Sequence, residues 1–416
     1  MNIDLKMAWR NIWRNPRRTL LTVLAISFAC VLLVFMLSFQ FGSYATMINS
    51  SVRIHTGHLQ IQARGYHQDP KMRLVVQDPG AVGSMLDRIS GVEAYTFRAN
   101  AFALVSSAER TYGVLITGID PNREARVSTL AHTIQQGRYL SDQPAGDGMP
   151  HALIGRLLAR NLKVTVGDEL TVLGQGRDGS VAATVLKISG IFASGQDAMD
   201  RSTLQMPLKA FQSVFSMAGA VHEVVIMGKD LADVPAVKTA IARKLPGIAN
   251  DPPLVVLDWT QLMPGLPQAI HMDLISGAVF YLILIMVVAF SILNTFLMSI
   301  LERTHEFGIM MAMGAKPGRL TRLVLAESLS MTLVGILAGV VIGCLVTWYF
   351  MAHGINLGSS SEILRQFGIP SIFYPHLTPL TATAGPGAVF VITLLAALYP
   401  ALRIRKLRPV EAIGHA

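Results

Sequence analysis

Four long apolar runs dominate the hydrophobic pattern of this chain. Thr19 to Gly42, Leu274 to Leu301 and Ser328 to Ala352 contain no charged residue, and a fourth, about Leu380 to Leu402, is interrupted by Gly385-Pro386-Gly387. A helix crossing the hydrocarbon layer needs about 20 mostly apolar residues, and buried helices of soluble proteins seldom run two dozen without a charge. The pattern therefore predicts four spans at 19–42, 273–301, 323–352 and 380–402. The first run is too long for a secretory signal and lacks a small-residue cleavage site. Cys30 does not read as a lipidation cysteine, because Ser27-Phe28-Ala29 precedes it and the apolar run continues beyond it.

Between the first two runs the periodicity changes. Alternating apolar and polar positions predict strands at Ile54–Gln62, Ala101–Ser106, Tyr112–Thr117, Glu169–Leu173, Val181–Phe192 and Val221–Met227. Helical spacing is read at Ala81–Ile89, Leu153–Asn161, Leu208–Phe215 and Val234–Leu245, with loops at Pro144–Pro150 and Gly174–Gly179. The expected fold class is an α-helical membrane protein with four transmembrane helices and a large α+β domain, residues 43–272, between helices 1 and 2. About 230 residues suffice for an independent domain.

At the N-terminus, Leu5, Ala8, Trp9, Ile12 and Trp13 follow helical spacing, while Lys6, Arg10 and Arg14 form a second stripe. This predicts an amphipathic helix within segment 1–18. Trp9 and Trp13 would sit at the membrane interface, with Arg10 and Arg14 near anionic headgroups. An ordinary basic flank without fixed helix is the plainer reading.

Composition sharpens the picture. The 416 residues are 51% hydrophobic and 15% charged, against roughly 25% charged in soluble domains. Thirteen of the 35 Lys and Arg residues lie in three short segments: 1–18, 302–322 and 403–416. The loop 353–379 holds only Arg365. The positive-inside rule places both termini and the 302–322 loop in the cytoplasm, and 43–272 outside. Residues 43–270 hold 21 basic and 19 acidic side chains, a near-neutral balance without a nucleic-acid footprint.

Catalytic signatures are missing from the sequence. It has no Gly-x-Ser-x-Gly elbow, no His-Glu-x-x-His pair and no phosphate loop of the Gly-x-x-x-x-Gly-Lys-Ser/Thr type. Cys30 and Cys344 both lie in apolar runs. His55 and His58 would face opposite sides of the predicted strand, so a metal cluster with His67 is disfavoured. No cofactor is expected on this chain.

The most specific signal follows the second span. Leu301-Glu302-Arg303-Thr304-His305-Glu306-Phe307-Gly308-Ile309-Met310-Met311-Ala312-Met313-Gly314-Ala315 begins charged and becomes a methionine-rich apolar patch, closed by Gly314 and Pro317-Gly318. A short amphipathic helix here needs another protein to cover Phe307, Met310 and Met311, and methionine adapts well to a groove. In the third span Gly335, Gly339 and Gly343 form a ladder on one helical face, suited to close helix packing in lipid. Glu327 is read either as interfacial or as the buried partner of a basic residue.

The run NTFLMSILERTHEFGIMMAMGAKPGRL, followed by Glu327 and the glycine ladder, resembles the FtsX-like permeases of ABC transporters. That family includes MacB-type permeases and the lipoprotein-releasing Lol-type. AWRNIWRNPRRTLLT and YPALRIRKLRPVEAI look like its terminal signatures, the start being of the MacB type. GVLITGID, GRLLARNLKVTVGDELTV, ISGIFASGQDAMDR and LDWTQL look more like the lipoprotein-releasing branch. The resemblance implies a bacterial inner-membrane location and a dimer of permeases, the second a copy or a related chain. It also implies a separate ABC ATPase dimer, which binds ATP and magnesium. The loop after span two becomes the coupling helix, with Glu302, Arg303, Glu306, Phe307, Gly308 and Gly314 carried over as coupling residues, and the Met310/Met311 patch beside them. A solvated connecting loop is the plain reading of the same segment.

The spans are poor in polar residues, Asn294 being the main amide of the second, and offer little wetted path to a hydrophilic solute. Two functions follow: ATP-driven extraction of a lipoprotein or other amphiphile from the outer leaflet, or transmission of ATP-driven motion to an efflux partner or cell-wall hydrolase. A periplasmic carrier or adaptor is a candidate partner in either. A membrane-anchored enzyme or sensor is the remaining option.

Overall fold

The computed structural model describes residues 10, 14–141, 148–356 and 372–404. The chain folds as two units: the described residues up to Tyr44 with 269–356 and 372–404, and residues 45–268.

The first apolar run lies within α1 (Pro16–Ser51). Pro16 suits the first turn, where its missing N–H costs nothing. A single wide turn, Val52–Thr56, continues it, and Gly57 at φ +70° ends it. A Cβ at Gly57 would also stand 2.5 Å from Val225 Cγ1. This corrects the strand expected from Ile54. The chain leaves the helix late, so His55 falls in the wide turn and His58 just before β1 (Leu59–Ala63).

The α+β unit is built on a ten-stranded sheet. Its strands are β1, β2 (Val92–Ser106), β3 (Thr111–Ile119), β4 (Ile134–Gly137), β5 (His151–Gly155), β6 (Glu169–Gln175), β7 (Val181–Phe192), β8 (Thr203–Pro207), β9 (Glu223–Gly228) and β10 (Leu254–Asp258). Their order is β10-β1-β9-β2-β3-β8-β5-β7-β4, with β6 bridging β2 and β7. Pairing is mostly antiparallel; β3–β8 and β5–β7 are parallel. The helices are α2 (Pro79–Leu86), α3 (Pro121–Val127), α4 (Arg156–Leu162), α5 (Asp197–Ser202), α6 (Leu208–Val214), α7 (Val234–Lys244) and α8 (Trp259–Leu262). Asp78 and Asp120 cap α2 and α3, and Asp258 forms a capping box with Gln261 at α8. The helix expected over Leu153–Asn161 splits into β5 and α4, because a strand buried on both faces reads as a continuous apolar run. The two larger apolar clusters of this unit lie against the sheet: one gathers Ala101, Val114, Ile154, Leu158, Leu186 and Phe211; the other gathers Leu59, Val82, Leu86, Val224, Ile226 and Ile241.

The membrane unit continues with α9 (Gly265–Glu302), α10 (Thr304–Ala312), α11 (Pro317–His353) and α12 (Pro379–Arg403). A short ribbon pairs β11 (Ile355–Asn356) with β12 (Ile372–Phe373). Among the described residues four helices, α1, α9, α11 and α12, are long and apolar enough to span a bilayer. The glycine ladder of α11 faces α1. A Cβ at Gly335 would lie 2.9 Å from Ile26, at Gly339 2.5 Å from Cys30 Cβ, and at Gly343 3.1 Å from Val34. Gly385 meets Leu33 of α1 in the same manner, at 2.7 Å. These contacts seat α1 between α11 and α12, where backbone proximity substitutes for the hydrophobic effect that lipid lacks. Buried Ser38 donates to Thr381 of α12 at 3.0 Å. Outward, α9 exposes Phe280, Ile283, Val287 and Phe290.

Candidate coupling site

Arg303 is the joint between α9 and α10, with φ −102° and ψ 8°. Its position turns the chain and aims a cation inward. Both Arg303 and Glu327 of α11 are buried, at 9% and 5% exposure. Arg303 Nη1 stands 3.0 Å from one Glu327 oxygen and 3.3 Å from the other. Its Nε reaches Glu306 at 3.4 Å, and its guanidinium lies 5.3 Å from the Phe307 ring centroid. Glu327 is thus the buried partner of a basic residue, one of the two readings the sequence left open. Breaking such a pair by removing one partner costs about 3–5 kcal/mol, since the other charge stays buried and unpaired.

Two further ion pairs tie this joint to the start of α1. Arg18 Nη1 lies 2.8 Å from Glu302, and Arg14 pairs with Glu306. Partial burial raises the Glu306 carboxyl pKa, but the bond and charge of Arg14, with Arg303, more than offset it and hold it below its usual value. Among the residues read as interfacial, Arg10 is exposed and Arg14 makes this pair; Trp9 and Trp13 lie outside the described residues.

The two faces of α10 are now distinct. Phe307 is fully buried and, with Met311, forms a cluster with Ile300, Leu320, Val324, Ala401 and Ile404; Gly308 is buried beside them in the chain. The expectation that Phe307 and Met311 await cover from another protein is corrected: the chain's own α9, α11 and α12 cover them. Met310 is half-buried against the same cluster. Exposed instead are His305, Ile309, Ala312 and Met313. Spaced at four and three to four residues, they form one outward stripe, which sequence reading missed because Phe307 and Met311 share the same apolar character. At the end of α10 the Ala315 N–H donates to Met310 O and the Gly314 N–H to Met311 O, both at 3.0 Å. Gly314 has φ +95°. This paired closure needs a left-handed residue, hence glycine. Glu302 and Gly314 are exposed at the two ends. The inner side of the hairpin is thus held by the Arg303–Glu327 pair and the apolar cluster around Phe307, while His305, Ile309, Ala312 and Met313 face outward.

The description "MacB-like periplasmic core domain" matches residues 19–244, and "FtsX-like permease C-terminal" matches 278–409. The lipoprotein-releasing system transmembrane protein LolC of Xylella fastidiosa is 24% identical over 411 residues, covering 95% of this chain and 93% of that protein. The macrolide export ATP-binding/permease protein MacB of Bdellovibrio bacteriovorus is 22% identical over 434 residues, covering 99% of this chain and 61% of that protein. Among solved structures, the extracellular domain of the YknZ transporter from Gram-positive bacteria aligns with 48% of this chain and 99% of its own, at 15% identity and TM-score 0.35.

Proposed function

We propose a function from one premise: the chain belongs to the family of FtsX-like permeases with a MacB-like periplasmic core domain. It is an ABC-transporter permease of the LolC/MacB type, a multi-pass membrane protein. In our reading it is the non-catalytic membrane subunit, and a separate ATPase dimer holds ATP and magnesium. Both termini and the α9–α11 joint face the cytoplasm of the inner membrane. Nucleotide-driven closure of the ATPase pushes on α10, and the complex releases a lipoprotein or similar amphiphile from the outer leaflet. The second permease, a copy or a relative, covers the apolar face that α9 exposes.

One observation carries this reading: the hairpin at α10 is fastened to α11 by the buried Arg303–Glu327 pair, while Ile309 and Met313 face outward. A docking element must transmit force without melting, and a pinned hairpin does. Amphiphile release is supported by the large apolar side chains that the spans expose, among them Phe28, Phe280, Val287, Leu337 and Leu395.

A transmission role has its own support. At 1.5 Å per residue, the 36 residues of α1 extend about 54 Å, well beyond the roughly 30 Å of hydrocarbon. Such a rod can carry motion without any substrate crossing. Proteoliposomes containing the permease, its ATPase and a radiolabelled acylated lipoprotein separate the two. ATP-dependent release to a soluble carrier supports extraction; ATP turnover without release transfers the proposal to the transmission reading.

A further inference from the structure

At the ends remote from the Arg303 joint, α1 and α9 meet through four polar side chains. Gln40 and Tyr44 stand one turn apart on α1, and Asp273 and Tyr281 two turns apart on α9. The Tyr281 hydroxyl donates to Gln40 Oε1 at 2.8 Å. Gln40 Nε2 donates to the Tyr44 hydroxyl at 2.8 Å and to Asp273 Oδ2 at 3.2 Å. Tyr44 donates in turn to the same carboxylate oxygen at 2.5 Å, in the short range of a charge-assisted O–H bond. The Gln40 amide thus commits its carbonyl and both its donors to one ring that joins the two helices.

The backbone is shaped for this contact. Gly277, one turn from both Asp273 and Tyr281, leaves room for the amide: a Cβ there would stand 2.7 Å from Gln40 Nε2. The ring also sits at the limit of two apolar runs, Thr19–Gly42 and Leu274–Leu301, which carry no charge. Polar side chains at such a depth are costly unless they face a partner. Nearer the joint, Ile26 and Leu33 of α1 share a buried cluster with Ile292 and Phe296 of α9, against which the Tyr281 ring also packs. At the far end Arg18 pairs with Glu302. The two helices are therefore fastened along their length. Residues 45–268 leave from α1 and return into α9, so both chain connections of the α+β insertion pass this ring.

We propose that the Gln40–Tyr44–Asp273–Tyr281 ring is a clasp that keeps these ends of α1 and α9 together throughout transporter turnover, so that the two spans move as one body. The inference rests on the proposed function in taking these spans as carriers of motion. Lipid supplies no hydrophobic force between spans, so directional bonds fix their rotation and register. Unclasped rods would slip past one another and lose displacement between them; clasped, they deliver it undivided to the insertion. What the clasp requires at position 273 is an acceptor for the two α1 donors, not a charge.

The test uses the full-length permease in nanodiscs, carrying Cys30→Ala and Cys344→Ala, with spin labels on Met36→Cys and Ile275→Cys, both exposed positions. Labelled protein is diluted with unlabelled so that each disc holds one labelled copy. Without ATPase, double electron–electron resonance should give one narrow distance distribution. Tyr44→Phe and Asp273→Leu should each broaden it at least twofold, whereas Asp273→Asn, which keeps an acceptor, should leave it narrow. With the ATPase bound, the clasped protein should show the same distance without nucleotide and after trapping with ATP and vanadate, a comparison that needs no clasp variant to fold. An unchanged width in Tyr44→Phe or Asp273→Leu, a broadening in Asp273→Asn equal to that in Asp273→Leu, or a distance that changes on trapping each overturns the clasp. An ATPase that fails to bind or to drive release overturns the proposed function instead, and leaves the ATPase-free comparison standing.

Discussion

Replacing Glu327 with leucine strikes the pin beneath the proposed coupling hairpin. The substitution leaves Arg303 buried at 9% exposure with its main anion removed. Glu306 offers only a longer contact, 3.4 Å from Nε, and already serves Arg14. Because both partners are buried, solvent screens the loss little, and a cost of about 3–5 kcal/mol is expected. At roughly 2–4 °C per kcal/mol for a unit of some 150 residues, the thermal midpoint should fall by ~10 °C. Arg303→Met combined with Glu327→Leu removes both charges and should recover most of that loss, since a well-packed apolar pair is often neutral or better. The assay is intrinsic-fluorescence melting of the permease in nanodiscs, alongside ATP-driven release with its ATPase. The double variant should melt near the parent yet couple poorly, because the hairpin is no longer fastened to α11. A single variant melting within 1–2 °C of the parent would refute the buried pin, as that shift is roughly what an exposed pair gives. A double variant with full coupling would refute its mechanical role.

Four other variants test separate parts of the structure. Ile309→Asp with Met313→Asp should abolish copurification with the ATPase while leaving the melting midpoint unchanged; retained copurification removes the outward stripe from the docking surface. By contrast Phe307→Ala should cost about 3–5 kcal/mol as a cavity in the cluster below, read as a lower midpoint even without ATPase. Gly339→Leu should prevent α1 and α11 from closing, because its Cβ already meets Cys30 at 2.5 Å; an unchanged melting midpoint would exclude that contact. His222 lies buried, accepting at Nδ1 from the Asn100 N–H and facing Met72 O through Nε2 at 3.2 Å, which fixes it as neutral. Desolvation pushes its pKa down to about 4, so the unfolded chain binds the proton first and stability falls with pH. Roughly 3 kcal/mol should be lost between pH 6.5 and 4, and a His222→Asn variant should flatten that part of the stability–pH profile.

The four spans and the α+β insertion are legible as patterns because lipid and water sort residues by polarity over long windows. Shorter windows mislead. The strand expected at Ile54 is a helical turn, because α1 outruns its apolar core by more than two turns. The helix expected from Leu153 begins as β5, buried between β7 and β8. At the α9–α11 hairpin the segment and its glycine stop are visible in order along the chain, yet Phe307 and Met311 could not be told from Ile309 and Met313. All four are large and apolar, and only the packing of α11 and α12 selects which pair is covered.

By itself the amino-acid order determined which helices are apolar and long enough to cross a membrane, where the large insertion lies and which short segment joins the second such helix to the third. Those are one-dimensional properties, set by hydropathy and by where helix-ending residues fall. The tertiary structure alone decided that Glu327 belongs to Arg303, 24 positions away, that Asp273 meets Gln40 and Tyr44, and that His222 accepts from Asn100. Partnership between distant polar groups depends on strand register and helix rotation, and neither quantity is written in any single stretch of sequence.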